Sequence, residues 1–198
     1  MGFGLLLIGY ITVLGVLPES FIYVSWGIYI AIIGGLLMLA GFCRLAEYNV
    51  FFKAMKYITV AYIIILLGFS PFEVLYKSFS ENFMQIYIIV SKIIKIFFLF
   101  GFHYFLLSGI LALAKEIENI KVIKITKINI YFTFVFFSAF VLEFFFGPAI
   151  ALLMLILGLV YFILIFANLY SCYMRITYEG HDEAIDAKYE EKKNKKKK

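Results

Sequence analysis

The stretch from Ile130 to Tyr173, IYFTFVFFSAFVLEFFFGPAIALLMLILGLVYFILIFANLYSCY, carries a single charged side chain, Glu143. A helix needs roughly 20 apolar residues to cross a hydrocarbon core about 30 Å thick. The stretch is long enough for two crossings and too long for one. Gly147-Pro148 divides it. Proline offers no backbone donor and its ring blocks the preceding turn, so a helix stops there. The reading is a helical hairpin with spans Ile130 to Phe146 and Ala149 to Tyr173. Strands fit less well. The alternation of a membrane barrel is absent, and an open sheet edge leaves backbone groups unpaired in lipid.

Four more apolar runs lie toward the N-terminus. Met84 to Ala114 is long, with its apolar centre at Ile96 to Ala114. Tyr57 to Phe72 ends near Pro71. Phe21 to Cys43 follows a tight turn at Pro18-Glu19-Ser20. Gly2 to Leu17 is the short one. It either spans a locally thinned bilayer or lies flat at the interface, which would leave five spans. The expected fold is all-α: a polytopic transmembrane helical bundle of six spans over residues 1–176. A charged tail, 177–198, is expected to be disordered.

Composition agrees with that solvent. Of 198 residues, 64% are hydrophobic and 16% charged, where a soluble domain is about a quarter charged. A chain this size has too little interior to hide such an excess from water.

The basic residues orient the bundle. Arg44, Lys53 and Lys56 lie between spans two and three, and Lys115, Lys121, Lys124 and Lys127 between spans four and five. Arg175, Lys188, Lys192, Lys193 and Lys195 to Lys198 follow span six. Alternating spans put these fifteen of the 18 basic residues on one side, leaving Lys77, Lys92 and Lys95 on the other. The positive-inside rule makes the crowded side cytoplasmic, with both termini there. The three prolines, Pro18, Pro71 and Pro148, then fall at outer helix ends.

The net charge of +5 sits between apolar runs and in the tail, which suits a juxtamembrane role and not a nucleic-acid groove. The terminal lysines either touch anionic lipid or form a solvated tail. Cys43 and Cys172 form no CxxC or Cys/His cluster, and no metal or other cofactor is expected. The N-terminal run has no basic residue before it and no small-x-small site after it, so it reads as a retained span and not a cleaved signal. No Walker motif, HExxH or dinucleotide loop is present.

Ionisable groups within hydrocarbon are expensive, and they mark the places to look for chemistry. His103 in span four is either a proton relay or ligand contact, or a neutral side chain hydrogen-bonded inside the bundle. Glu143 in span five lies at a depth similar to Lys92 and Lys95. Either it pairs with one of them, or each side chain snorkels to the headgroups. These four are candidate intramembrane polar residues, and no catalytic set is assigned. Small residues mark packing faces: Ala31, Gly34 and Gly35 in span two, partly extended by Gly27 and Gly41, and Gly2, Gly4, Gly9 and Gly15 in span one.

Three segments carry a resemblance. Gly2-Phe3-Gly4-Leu5-Leu6 with Gly9-Tyr10 is one, and Arg44-Leu45-Ala46-Glu47-Tyr48-Asn49 is another. The third is Ser171-Cys172-Tyr173-Met174-Arg175-Ile176, followed by Glu179-Gly180 and Asp182-Glu183. Together they resemble a family of small multipass membrane proteins from low-GC, Clostridia-like Gram-positive bacteria. Thr177-Tyr178 and the terminal lysines depart from it. That family has no assigned activity. The resemblance implies a membrane fold and a bacterial plasma-membrane location, and it carries over no catalytic residue. Apolar helices, small-residue packing faces and the lack of a reactive constellation give the functional reading, which does not rest on the resemblance: a non-enzymatic accessory or scaffolding subunit, with a membrane-protein partner or a second copy of itself. A small oligomeric transporter or channel is the alternative. An intramembrane enzyme acting on lipid ranks third.

Overall fold

The computed structural model describes residues 2–14, 25–75, 81–146 and 151–178. The side chains at 14, 25–28, 65–66, 68–75, 81–97, 143–146, 151–152 and 177–178 fall outside that description. Every described element is a helix. They are α1 (Phe3–Leu14), α2 (Ser25–Leu45), α3 (Val50–Leu75), α4 (Glu81–Glu116), α5 (Ile120–Phe146) and α6 (Ala151–Cys172). A π-helical turn, Tyr173–Tyr178, continues α6. Among the described residues three helical stretches are long and apolar enough to cross a membrane: Phe98–Glu116, Ile120–Leu142 and Leu153–Ile176. Phe3–Val13 and Tyr29–Leu45 are apolar but shorter.

The chain turns where its sequence satisfies free helix ends. Asn49 caps α3: its Oδ1 accepts the Phe51 amide at 2.9 Å, and its carbonyl accepts from Lys53. Asn119 does the same for α5, with Oδ1 3.2 Å from the Val122 amide. At the end of α4, Asn119 donates to the Ala114 carbonyl and Glu118 to that of Lys115. These paired bonds form a Schellman closure, with Glu118 at φ 57° in the position usually held by glycine. The helical direction therefore reverses at Ile117-Glu118-Asn119. The Asn119 cap starts α5 at Ile120, and the helix then runs unbroken to Phe146. In the same way α3 begins at Val50, ahead of its apolar run, and passes through Pro71 to Leu75. Pro18 and Pro148 lie outside the described residues, as does the tail from 179 onward.

Each helix packs on the next in sequence, and α6 closes back on α1. Neighbours run antiparallel. The tightest pair is α1 with α2, where Gly2 meets Gly41 and Gly9 meets Gly34. The glycines recur at a seven-residue interval on each helix, so the backbones touch over two turns. Elsewhere a ring fills the space a glycine leaves: Phe52 of α3 lies on Gly109 of α4, and Tyr173 lies on Gly4. Phe3, Phe42, Phe52, Phe102, Leu106 and Ile110 form part of the buried core. The opposite faces, including Ile33, Leu36, Ile64, Val135, Leu155 and Ile163, are exposed and apolar. In a soluble protein that shell would be a large aggregation-prone surface. The lysines and arginines whose side chains are described, Arg44, Lys53, Lys56, Lys115, Lys121, Lys124, Lys127 and Arg175, belong to one end of the bundle.

Candidate functional site

Between α1, α4 and α6 the apolar core is interrupted by a polar cluster centred on His103. The imidazole is buried, 3% exposed. Its Nδ1 lies 2.8 Å from the Leu99 carbonyl, one turn back on α4. Its Nε2 lies 2.8 Å from the Tyr10 hydroxyl of α1. A carbonyl only accepts, so Nδ1 carries the hydrogen and Nε2 accepts from Tyr10. Both ring nitrogens are matched by a neutral imidazole. Around it stand the rings of Tyr10, Phe137 and Tyr161, with centroids 5.9, 6.3 and 5.2 Å away.

Tyr161 links this cluster to a second feature. Its ring stacks on Phe136 at 4.6 Å. Its hydroxyl lies 3.1 Å from Thr133 Oγ1, which itself donates to the Asn129 carbonyl at 2.7 Å. Farther along the same seam, Asn129 Nδ2 donates to the Leu164 carbonyl at 2.9 Å. Thr126 Oγ1 donates to Asn168 Oδ1 at 3.1 Å, and the Cys172 thiol points at that oxygen from 3.8 Å. Thr126, Asn129 and Thr133 are spaced by three and four residues on α5. Tyr161, Asn168 and Cys172 are spaced by seven and four on α6. Those intervals put each set on one helix face. The seam is a ladder of uncharged polar groups joining antiparallel helices. In lipid such bonds contribute about 0.6 kcal/mol each on average.

Of the four residues singled out by sequence, His103 is the one whose side chain is described. Glu143, Lys92 and Lys95 stand on helical backbone, but their side chains lie outside the described residues. Ring contacts between Phe100 and Phe137 and between Tyr104 and Phe134 set the α4–α5 register. Carried two turns further along both helices, it brings the backbone of Glu143 level with residues 94–95. Sequence reasoning missed Tyr10, Tyr161 and the α5–α6 ladder because it searched for ionisable groups. Uncharged polar residues at helical spacing, Thr126, Asn129 and Thr133 above all, were the available signal.

Among the described residues no group of three or more His, Cys, Asp or Glu side chains could hold a metal ion. Cys43 and Cys172 are free thiols, the first exposed and the second buried. The cluster can orient hydrogen bonds and tie three helices together. No family model matches the chain, and no curated protein or solved structure matches it.

Proposed function

We propose that the chain is a six-span membrane protein of the bacterial plasma membrane, with both termini cytoplasmic, acting as a non-enzymatic accessory or scaffolding subunit of a membrane complex. One observation carries this reading. The central histidine has both ring nitrogens occupied, Nε2 by Tyr10 of α1 and Nδ1 by the Leu99 carbonyl of its own helix, so the most suggestive polar residue has the environment of a structural tie. The apolar outer shell suits lipid or a second membrane protein. Six spans are favoured over five by α1, which runs antiparallel along α2 with Phe3, Leu6 and Tyr10 buried. A helix lying flat at the interface would not pack in that way.

Two measurements test the proposal. Single cysteines at position 47 or 118 should react with a membrane-impermeant thiol reagent only after cells are opened. Labelling in intact cells overturns the orientation. Cross-linking in native membranes, followed by mass measurement of the purified complex, should give a fixed stoichiometry with one partner or with further copies. A lone monomer overturns the scaffolding role. A second reading, a small transporter or channel, is favoured by the Tyr10–His103–Tyr161 cluster inside the bundle. It requires solute or ion flux in proteoliposomes that falls with His103→Ala.

A further inference from the structure

Two buried atoms on the α5–α6 ladder have no hydrogen-bond partner. One is an acceptor, Asn129 Oδ1, and the other a donor, Asn168 Nδ2. Their residues are 1% and 0% exposed. The two carboxamides converge on one helical turn. Asn129 Nδ2 donates to the Leu164 carbonyl, the same carbonyl that the Asn168 backbone amide addresses in the helical ladder of α6. Turning an amide over does not remove the mismatch. Reversing Asn129 would set its oxygen against the Leu164 oxygen. Reversing Asn168 would satisfy its nitrogen at Thr126 and leave its own oxygen unpaired instead. Unpaired buried polar groups are costly, and the cost grows where lipid replaces water.

We propose that the Asn129–Asn168 step of the seam is a binding site for one water molecule. The water donates to Asn129 Oδ1 and accepts from Asn168 Nδ2. The atom types select this occupant. A cation would face the Asn168 amide hydrogens, and an anion would face the Asn129 oxygen. An apolar group would leave both unpaired. A small neutral molecule that donates and accepts at once fits, as buried waters characteristically do. The bridge joins Thr126 and Cys172, toward the basic end of the bundle, to Asn129, Thr133 and Tyr161 beside His103. The ladder then becomes continuous, and water becomes part of the α5–α6 contact.

The test uses the full chain, labelled with ¹⁵N-asparagine, in phosphatidylcholine–phosphatidylglycerol vesicles. Solid-state spectra read magnetisation passed from water to side-chain amides. The Asn168 carboxamide should receive it, while the backbone amides of Ile165 and Leu169, in separately labelled samples, should not. Absence of transfer to Asn168 overturns the proposal, and this measurement needs no variant. In Asn129→Leu, checked for helical content and monodispersity, the transfer should weaken by about threefold or more, the occupancy change expected from one lost hydrogen bond. An unchanged Asn168 signal in a folded Asn129→Leu sample overturns the bridge.

Discussion

Gly9 of α1 and Gly34 of α2 meet backbone to backbone: a Cβ on Gly9 would lie 2.6 Å from the Gly34 carbonyl oxygen, and one on Gly34 would lie 2.9 Å from that of Gly9. Neither obstacle is a side chain that could swing away, so the helices themselves must part. Gly9→Leu or Gly34→Leu should destabilise the bundle by about 1–3 kcal/mol, the range seen for overpacking. Heating the detergent-solubilised protein and following the surviving monodisperse fraction gives the measurement. Gly101→Ala is the control, because a Cβ there meets nothing within 4 Å. It should leave stability unchanged or raise it by up to about 1 kcal/mol.

The same crossing fixes the neighbouring residue. Tyr10 follows Gly9, and its hydroxyl donates to His103 Nε2. Tyr10→Phe leaves that nitrogen buried without a donor, a loss of about 1–3 kcal/mol in a dry interior. His103→Phe removes both ring bonds. Because the two residues share one bond, the double variant should be less damaged than the sum of the single ones. Strict additivity in thermal unfolding would mean that the bond contributes nothing.

How much of this was legible beforehand depends on what each residue answers to. The apolar runs and glycine faces are local and periodic, so Gly9, Gly34 and Gly41 marked a packing face before their partners were known. The helix starts were also written locally, in Asn49 and Asn119, but the basic residues after them invited a reading as loops. Tyr10, Tyr161 and Asn168 were illegible as a site for a different reason. Tyr10 reaches His103 across 93 positions, and Thr126 reaches Asn168 across 42. No periodicity within one helix encodes such a meeting. Only the packing of whole helices on one another brings those faces together.

Glu118 holds a left-handed backbone, φ 57°, at the closing turn of α4. A side chain there crowds its own carbonyl, and glycine avoids that penalty. The Glu118 side chain is exposed, so little packing is lost with it. Glu118→Gly should therefore raise stability by about 1 kcal/mol. Asn119→Ala should lower it by about 1 kcal/mol through loss of the α5 cap. Thermal unfolding of both variants in one detergent checks the opposite signs.

Glu143 provides the remaining prediction, and its basis is register. With Phe100 on Phe137 and Tyr104 on Phe134, the backbone at 143 is level with 94–95 on α4, next to Lys95 and within one turn of Lys92. A carboxylate at that depth is best stabilised by an adjacent ammonium, and breaking a desolvated pair by removing one partner costs about 3–5 kcal/mol. We expect Glu143→Gln to lower thermal stability in detergent. Lys95→Met or Lys92→Met should do the same, whichever lysine is the partner. Combining Glu143→Gln with the partner's substitution should recover part of the loss, since no lone charge then remains. Equal stability of Glu143→Gln and the parent would instead assign all three side chains to separate contacts with the outer headgroups.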